Sequence, residues 1–369
     1  MDFNGRLGLV QRVCPTYRVP FFEMLGLHCR DGLSLFAGNP RSTESIPQAG
    51  SINGVEWVHA QNIHIFQGKL YACWQGGILP WLKAWQPDVL IAEANPRYLS
   101  TPSAIRWMHA HDKPVIGWGL GAKPYPGSKP GVLNLSRKRF LQQFYAMITY
   151  SQSGAAEYAR IGLDPKSIFV AVNAVTPRPT HPAPLRPAEF QAKPKVLFVG
   201  RLQARKRIDN LIKACAALPL DLQPDLWVVG DGPEKVALEE LAREVYPATH
   251  FTGAKFGADL DALFDQADLF VLPGTGGLAI QQAMSHALPV IAAEADGTQE
   301  NLVRPGNGWQ IPPGNLAQLT HTLEIALSDI PRLRQMGAES FRLVSEEVNL
   351  ESMVDAFMNA INYARQSVK

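Results

Sequence analysis

Apolar segments of strand length alternate with segments of helical periodicity along the whole chain. In order, the apolar segments are RLGLVQRV, DVLIAE, KPVIGWG, YAMITYS, KVLFVG, DLWVVG, HFTG, DLFVLP and PVIAAE. Helical stretches lie between them, such as RIDNLIKACAAL, in which Ile208, Leu211, Ile212 and Cys215 share one face. Because neighbouring parallel strands need a long crossover, this alternation predicts parallel sheets wound by helices.

A proline-rich segment separates the two halves of the chain. The stretch TPRPTHPAPLRPAEFQAKPK has no apolar period, which is typical of a linker. A chain of 369 residues is long enough for two domains, each with its own core. We therefore predict two doubly wound α/β domains, over residues 1–176 and 195–348, joined by a linker over residues 177–194.

The bulk composition excludes several protein classes. Hydrophobic residues make up 46% of the chain and the net charge is +2, so we expect no nucleic-acid partner. The four cysteines form no CxxC pair, which fits a reducing compartment and argues against a structural zinc site. The N-terminal stretch MDFNGRLGLVQRV lacks the apolar run of a signal peptide, and no segment reaches transmembrane length. We therefore expect a cytoplasmic protein.

Charge is unevenly distributed along the chain. Residues 113–156 contain six basic residues and no acidic one, whereas residues 221–300 contain fourteen acidic and three basic residues. A basic stretch without acids is either drawn to an anionic surface or simply solvated. The sequence leaves both interpretations open.

Three strand ends in the second half carry glycines or basic side chains. KVLFVGRLQARK ends its strand at Gly200, followed by Arg201 and Lys206. LWVVGDGP supplies Gly232, and VLPGTGGLAIQQAM breaks into glycines before helical spacing resumes. Amides at a helix N terminus attract anions, and an arginine with a lysine can clamp a diphosphate. Because open α/β sheets bind ligands at the carboxyl ends of their strands, we expect an anion site there.

Other common ligand motifs are incomplete. GDGPEK has only the first two glycines of GxGxxG, and prolines interrupt the stretch after GWGLGAKPYPG. Neither GxxxxGK[ST] nor GxSxG occurs. His109 and His111, like His59 and His64, are not spaced to share a zinc ion. We therefore expect no nicotinamide or flavin cofactor and no metal.

Six blocks in the second half, taken in order, resemble the nucleotide-sugar domain of glycosyltransferase family 4, also called glycosyl transferases group 1. They read VLFVGRLQARKRIDNLI, VVGDGP, HFTG, ADLFVLP, GGLAIQQAMSHALPVIA and QENLVRPGNGWQIPPGN. YRVPFFEML and TYSQSGAAEYARIGLDPKSIFVAVNAV resemble the same family more loosely. The resemblance implies the GT-B fold, in which an acceptor-side and a nucleotide-sugar-binding Rossmann-like domain face a central cleft. It also implies that residues 349–369 form a helix that packs back on the first domain.

The resemblance implies that the anion is the diphosphate of a nucleotide-sugar donor. It gives Arg201 and Lys206 the catalytic role of stabilising the leaving nucleoside diphosphate. No cofactor or metal is then required, because fixed cations and amides stabilise the developing charge. The donor-binding residues that it implies are Gly200, Gly232, Lys255, Phe256, Gly276, Gly277, Leu278 and Gln282.

The glycine turn departs from the family pattern. The family usually carries two glutamates eight residues apart, at the positions of Gly274 and Gln282. Gln282 can still form hydrogen bonds with ribose hydroxyls, whereas Gly274 offers the sugar no side chain. Two alternatives therefore stay open beside a transferase: a catalytically degenerate nucleotide-sugar-binding protein, and a nucleotide-sugar epimerase on the same fold.

Residues after three strands of the first half are candidates for the acceptor side. They are Thr16, Tyr17, Glu93, Arg97 and Gly119. The resulting hypothesis is a retaining, metal-independent hexosyl- or N-acetylhexosaminyltransferase, with a UDP-sugar favoured over a GDP-sugar as donor. Its acceptor would be a saccharide or a lipid-linked saccharide at the inner membrane face. The acid-free stretch from Lys113 onward would then meet anionic lipid, which makes the protein peripheral to that membrane.

Overall fold

The computed structural model describes residues 2–41, 44, 46–123, 130–190, 192–295 and 299–367. The chain divides into two units. The first comprises Met1–Val175 together with Leu350–Lys369, and the second comprises Thr176–Asn349. Each unit is built around one sheet.

Within its described residues, the first unit has an eight-stranded sheet of order β4-β3-β2-β1-β5-β6-β7-β8. The strands are β1 (Leu7–Val13), β2 (Leu33–Gly38), β3 (Glu56–Ile65), β4 (Ala72–Gly76), β5 (Val89–Glu93), β6 (Val115–Gly119), β7 (Ala146–Thr149) and β8 (Ile168–Val170). All neighbours pair in parallel except β3 and β4, which form an antiparallel hairpin at the edge. The parallel sheet confirms the predicted α/β class. The antiparallel hairpin at its edge is a further element that the sequence analysis did not predict.

Helices cover both faces of this sheet, because residues along its central strands point alternately to two apolar cores. Leu9 and Ile91 belong to one core, and Val10 and Leu90 belong to the other. Helix α5 begins where Ser151 Oγ accepts a hydrogen bond from the Gly154 N–H at 3.0 Å. The helices are α1 (Val19–Leu27), α2 (Ile78–Trp85), α3 (Thr101–His109), α4 (Pro130–Leu141) and α5 (Gln152–Ile161).

Within its described residues, the second unit has a six-stranded parallel sheet of order β11-β10-β9-β12-β13-β14. The strands are β9 (Lys195–Val199), β10 (Asp225–Val229), β11 (Thr249–Gly253), β12 (Leu269–Leu272), β13 (Val290–Ala293) and β14 (Gly308–Ile311). The helices are α6 (Ile208–Ala216), α7 (Lys235–Val245), α8 (Ala258–Gln266), α9 (Leu278–Ser285), α10 (Gln299–Leu302), α11 (Leu316–Ser328) and α12 (Ile330–Glu346).

The strand order of the second sheet reverses at β9. Strand β9 lies between β10 and β12, so the chain moves outward from it in one direction and then in the other. The loops after β9, β10 and β12 therefore meet at a topological switch point, where doubly wound sheets bind their ligands. Helix α6 follows β9, and its predicted face of Ile208, Leu211, Ile212 and Cys215 is buried, which confirms that periodicity.

Arginine side chains, chiefly that of Arg186, bond the proline-rich segment before β9 to the rest of the second unit. The guanidinium of Arg186 donates to the carbonyl oxygens of Phe264 at 3.0 Å and His286 at 2.7 Å, and it also donates to that of Ala267. Burial of this guanidinium lowers the pKa of Arg186 to about 10. The carbonyls at the ends of α8 and α9 thus hold the segment in place.

The last helix, α13 (Leu350–Ser367), returns to the first unit. Its apolar stripe, which includes Met353, Phe357 and Ile361, is buried in one of that unit's two cores. The Phe357 ring lies 4.8 Å from the rings of both Phe21 and Trp118, so α13 completes the aromatic packing beside β6. Among the described residues, no helix has both the length and the apolar character that crossing a bilayer requires.

Candidate functional site

The loops after β9 and β10 are joined by backbone hydrogen bonds. The Gly200 N–H donates to the Val229 carbonyl at 3.0 Å, and the Leu202 N–H donates to the Asp231 carbonyl at 2.9 Å. The Leu202 carbonyl in turn accepts from the Glu234 N–H at 3.1 Å. These bonds hold the segment after Val199 over the neighbouring strand end.

Glycine at position 232 is explained by this close approach. A Cβ on Gly232 would overlap the carbonyl oxygen of Leu202, and one on Gly230 would overlap that of Gly200. A side chain at either position would push the two loops apart. The glycines of VVGDGP therefore pack strand ends together at the switch point, whatever they bind.

The loop after β12 packs on the turn that precedes α6. A Cβ on Gly274 would overlap the carbonyl oxygens of Arg205 and Lys206. The Thr275 N–H donates to the Arg205 carbonyl at 3.1 Å, and the Arg205 guanidinium donates to Thr275 Oγ1 at 3.0 Å. The structure therefore brings the predicted glycine turn and the predicted basic turn into direct contact.

Lys206 reaches across this contact to Gly276. Gly276 has φ +140°, and a Cβ built on it would overlap the Nζ atom of Lys206. The next residue, Gly277, is the N-cap of α9, and no side chain caps that helix start. The ammonium group of Lys206 thus lies beside the glycines that precede the helix, where the first amides of α9 have no side-chain acceptor.

Two basic side chains of this turn, Arg201 and Lys206, have no carboxylate partner among the described residues. Within the described part of the chain, neither Arg201 nor Lys206 forms an ion pair or a side-chain hydrogen bond. Burial, reinforced by the charge of Arg205, lowers the pKa of Lys206 to about 8. A partly buried cation beside an uncapped helix N terminus is an arrangement that an anion stabilises.

The other predicted donor-side residues lie around this turn or one strand away. Leu278 is the first residue of α9. The Gln282 side chain donates from Nε2 to Asp261 Oδ1 of α8 at 3.4 Å. Lys255 and Phe256 follow β11 at the edge of the sheet, and Phe256 is 80% exposed. Gly200, Lys206, Gly232 and Gly276 are brought together at the switch point, with Arg201 exposed beside them.

In the first unit, the predicted acceptor-side residues follow β1, β5 and β6, which are neighbours in the sheet. Thr16 and Tyr17 form a 3-10 turn after β1, Glu93 ends β5 with Arg97 exposed after it, and Gly119 ends β6. A Cβ on Gly119 would overlap the Tyr158 hydroxyl group. Because these strands are parallel, the structure brings their carboxyl ends to one edge of the sheet.

Glu93 is the titratable group at this edge whose pKa lies near neutrality. Its Oε2 accepts the Arg12 N–H at 2.5 Å. Protein atoms surround the carboxylate although part of the residue stays accessible, and this burial raises the pKa of Glu93 to about 7. Arg12 and Arg18 act in the opposite direction, since their charges favour the carboxylate.

Two arginines lie near these residues, and of the two only Arg12 had no predicted place at the acceptor side. Arg18 is 5% exposed, and its guanidinium lies between 5.1 and 5.4 Å from the ring centres of Tyr17, Trp118 and Tyr150. Arg12 forms an ion pair with Glu44 at 2.7 Å. Arg18 directly follows two predicted residues, so PTYRVP offered a signal. Nothing in the sequence links Arg12 to Glu44.

Part of the second unit is similar in sequence to known glycosyltransferases. Residues 193–329 match the family model of glycosyl transferases group 1. A GDP-mannose-dependent alpha-mannosyltransferase of Mycobacterium tuberculosis is 32% identical over 153 residues, which are 41% of this chain and 38% of that protein. Sulfoquinovosyl transferase SQD2 of Arabidopsis thaliana is 34% identical over 143 residues, 37% of this chain and 27% of that protein. The matched stretch thus spans well under half the length of these relatives.

The fold is shared over nearly the whole chain with a solved structure. HepE from Anabaena, crystallised in complex with UDP, superposes with a TM-score of 0.67 over 98% of this chain and 100% of that one, at 17% sequence identity. At this identity the likeness establishes the fold alone. It confirms the fold expected from the sequence, two α/β units of the GT-B type.

Proposed function

We propose that this chain is a glycosyltransferase. It has the GT-B fold, and its residues 193–329 match the family model of glycosyl transferases group 1. It moves a sugar from a nucleotide-diphosphate donor to a saccharide or lipid-linked saccharide acceptor. The observation that carries this proposal is Lys206, a cation without a carboxylate partner among the described residues, held against Gly276 before α9. The second unit is the nucleotide-sugar domain and the first is the acceptor-side domain.

In this proposal the second unit stabilises the leaving group. Cleavage of the bond between the sugar and the diphosphate leaves negative charge on the phosphate oxygens. Arg201, Lys206 and the amides of Gly277 and Leu278 take that charge, and because they are fixed before the reaction they need no reorganisation. Each charge-assisted hydrogen bond contributes about 1.5–3 kcal/mol. We propose that this is sufficient for a metal-independent transfer.

The rest of the donor is held outside the diphosphate site. Gly200 and Gly232 keep the loops after β9 and β10 close to the phosphates. Gln282 accepts and donates hydrogen bonds to ribose hydroxyls, and Lys255 with the exposed Phe256 contacts the base. We propose a UDP-sugar ahead of a GDP-sugar. HepE was crystallised with UDP and the relative of Mycobacterium tuberculosis is GDP-mannose-dependent, so the donor assay described below includes both bases.

The first unit would hold the acceptor. We propose that Thr16, Tyr17, Glu93, Arg97 and Gly119 contact it, at the edge where β1, β5 and β6 end. Glu93 is suited to an acceptor hydroxyl, because a carboxyl group with a pKa near 7 can accept or release a proton at neutral pH. We propose further that the transferred group is a hexosyl or N-acetylhexosaminyl unit and that its anomeric configuration is retained.

A peripheral location at the cytoplasmic face of the membrane would suit a lipid-linked acceptor. Arg137, Lys138 and Arg139 of α4 supply basic charge near an exposed Leu135. Residues 124–129 of the acid-free stretch lie outside the described residues. Each basic residue near an anionic surface contributes about 1 kcal/mol, and salt screens the attraction. Binding of the wild type to anionic vesicles should therefore weaken in 0.5 M NaCl.

A second candidate, a non-catalytic nucleotide-sugar-binding protein, is favoured by the packing of Gly274. The carbonyls of Arg205 and Lys206 occupy the space that a side chain at this position would need. The carboxylate that the family usually offers to the donor sugar at this position therefore has no counterpart here. Binding through the diphosphate and ribose would remain.

Incubation with radiolabelled UDP-glucose, UDP-N-acetylglucosamine and GDP-mannose, each with and without EDTA, separates the candidates. A transferase without its acceptor should slowly hydrolyse one donor, at the same rate in EDTA. Submicromolar binding without release of sugar would support the non-catalytic protein instead. Neither binding nor hydrolysis of any donor would contradict both candidates.

A further inference from the structure

The β3–β4 hairpin of the first unit exposes four large apolar side chains at its end. Ile63 is 55% exposed, Phe66 70%, Leu70 76% and Trp74 43%. We call these four residues the hairpin tip. Single exposed apolar residues are ordinary, but four on one short hairpin form a patch that marks an interaction surface.

The four residues lie on the paired strands and in the connection between them. Ile63 of β3 and Trp74 of β4 are directly paired in the antiparallel register. Side chains of such a pair stand on the same face, about 4.5–5.5 Å apart at Cβ. Phe66 and Leu70 lie in the connection between the end of β3 and the start of β4. Exposed apolar side chains therefore occur both on the strand pair and at the end of the hairpin.

The outer edge of β4 is already bonded, which excludes an added β-strand as the occupant at that point. The Cys73 N–H donates to the Arg97 carbonyl at 2.9 Å, and the Leu99 N–H donates to the Cys73 carbonyl at 2.9 Å. Ser100 Oγ accepts the Gln75 N–H and donates to the Gln75 carbonyl. A partner would therefore contact the side chains of the hairpin tip rather than backbone groups of this edge.

The charge around the hairpin tip matches an anionic surface. Residues 57–76, from the second residue of β3 to the end of β4, contain one lysine and neither aspartate nor glutamate. Near the connection between β3 and β4, the carboxylate of Glu44 accepts from the guanidinium groups of both Arg12 and Arg41. The Arg41 guanidinium also lies 4.6 Å from the centre of the Tyr71 ring. Two cations thus share one carboxylate beside an apolar tip that contains tryptophan and phenylalanine, the residues suited to a membrane interface.

From this combination we infer that the hairpin tip inserts into the interface of an anionic membrane. Phe66 and Leu70 enter among the acyl chains, and Trp74 sits at the level of the headgroups. This contact is separate from the basic residues of α4, since it depends on apolar burial, which salt does not screen. A membrane held by the hairpin would position the first unit at the lipid surface, whichever donor the second unit binds.

The double variant Phe66→Ser with Leu70→Ser tests the inference against a matched control, Leu27→Ser with Leu220→Ser. The control residues are 83% and 85% exposed and lie outside the hairpin. All four side chains are already mostly in water, so both double variants should fold as the wild type does. Binding is measured by sedimentation with vesicles of phosphatidylcholine containing 30% phosphatidylglycerol, in 0.1 and 0.5 M NaCl.

The hairpin variant should bind these vesicles at least about tenfold more weakly than the wild type at both salt concentrations, because two apolar side chains no longer enter the lipid. The control variant should bind as the wild type does. The tryptophan fluorescence of the wild type should shift to shorter wavelength when vesicles are added, and Trp74→Phe should reduce that shift.

Three results would overturn the inference: no binding of the wild type to these vesicles, equal binding of the hairpin and control variants, or a wild-type dimer that the hairpin variant converts to a monomer. The last result would identify a second copy of this chain as the occupant. None of these measurements involves a donor sugar, so the inference and the proposed transferase activity can fail independently.

Discussion

The Nζ atom of Lys206 lies against Gly276, so close that a Cβ on that glycine would overlap it. This one relationship joins the turn after β9 to the turn after β12. It also indicates where an anion would sit, since the ammonium group lies beside the glycine before the uncapped start of α9. The site therefore depends on the absence of a side chain as much as on the presence of a cation.

Gly276→Ala should weaken UDP binding at least about tenfold while the second unit stays folded. The added methyl group would displace Lys206 Nζ, and alanine is strained at φ +140°. Gly306→Ala is the control, because its Cβ would meet nothing closer than a flexible atom of Glu339 at 3.4 Å. Calorimetry with UDP measures both variants. Equal affinity of the two would show that the Lys206–Gly276 contact has no part in binding.

The protonation of Lys206 should make diphosphate binding depend on pH. Its pKa of about 8 in the free protein means that the group loses its charge as pH rises through that value. A bound diphosphate favours the protonated form, so UDP affinity should fall about tenfold between pH 7.5 and 9.5. The phosphate groups of UDP themselves are fully ionised across this range. Lys206→Arg keeps its charge and should give a flat profile, and a wild-type profile that is equally flat would contradict the assignment.

Gln282→Ala should lower UDP affinity several-fold and leave the affinity for inorganic pyrophosphate unchanged, because only UDP has a ribose. Replacing Gln282 with glutamate, the residue that the family usually has at this position, should affect UDP binding in a different way. The Gln282 amide donates to Asp261 at 3.4 Å, so Gln282→Glu would set two carboxylates against each other. We expect Gln282→Glu to bind UDP no more tightly than the wild type. Parallel loss of UDP and pyrophosphate binding in Gln282→Ala would instead indicate a structural amide.

Much of the fold could be predicted because buried parallel strands are continuous apolar runs. That property identified β1, β5–β7 and β9–β13. Strand β3 was missed because its sequence, EWVHAQNIHI, mixes polar and apolar residues, and β14 was missed because glycine and glutamine interrupt the apolar run in GWQI. The pairing of β3 with β4 depends on the tertiary structure, so neither sequence alone indicated a hairpin.

The candidate site could also be predicted only in part from the sequence. Its glycines and basic residues follow strands in short motifs, so Lys206 and Gly276 could be predicted as members of one site. The contact between them required the packing of Gly274 on the Arg205 carbonyl, which no spacing encodes. In the first unit, Glu93 could be predicted from its place after β5. Its raised pKa could not, since that follows from burial beside residues distant in sequence.

Glu93→Gln should change how the stability of the first unit depends on pH. The folded-state pKa of about 7 lies above the ordinary value of 4.5, so the folded state binds more protons between these values. The free energy of unfolding of the wild type should therefore fall as pH rises from 5 to 8, by about 1–3 kcal/mol more than in Glu93→Gln. Urea unfolding at each pH measures the difference. Glu56→Gln, at an exposed position of β3, is the control and should follow the wild type. Parallel curves for Glu93→Gln and the wild type would contradict the burial of this carboxylate.

The central claim is that the turns after β9 and β12 hold the diphosphate of a nucleotide-sugar donor, and calorimetry with UDP and GDP tests it most directly. The proteins compared are the wild type, Arg201→Ala, Lys206→Ala and, as a control, Lys213→Ala, which removes an exposed lysine of α6. Loss of a charge-assisted contact of about 1.5–3 kcal/mol predicts at least about tenfold weaker binding in the first two variants and no change in the third. Wild-type affinity for both nucleotides in Arg201→Ala and Lys206→Ala alike would contradict the diphosphate site.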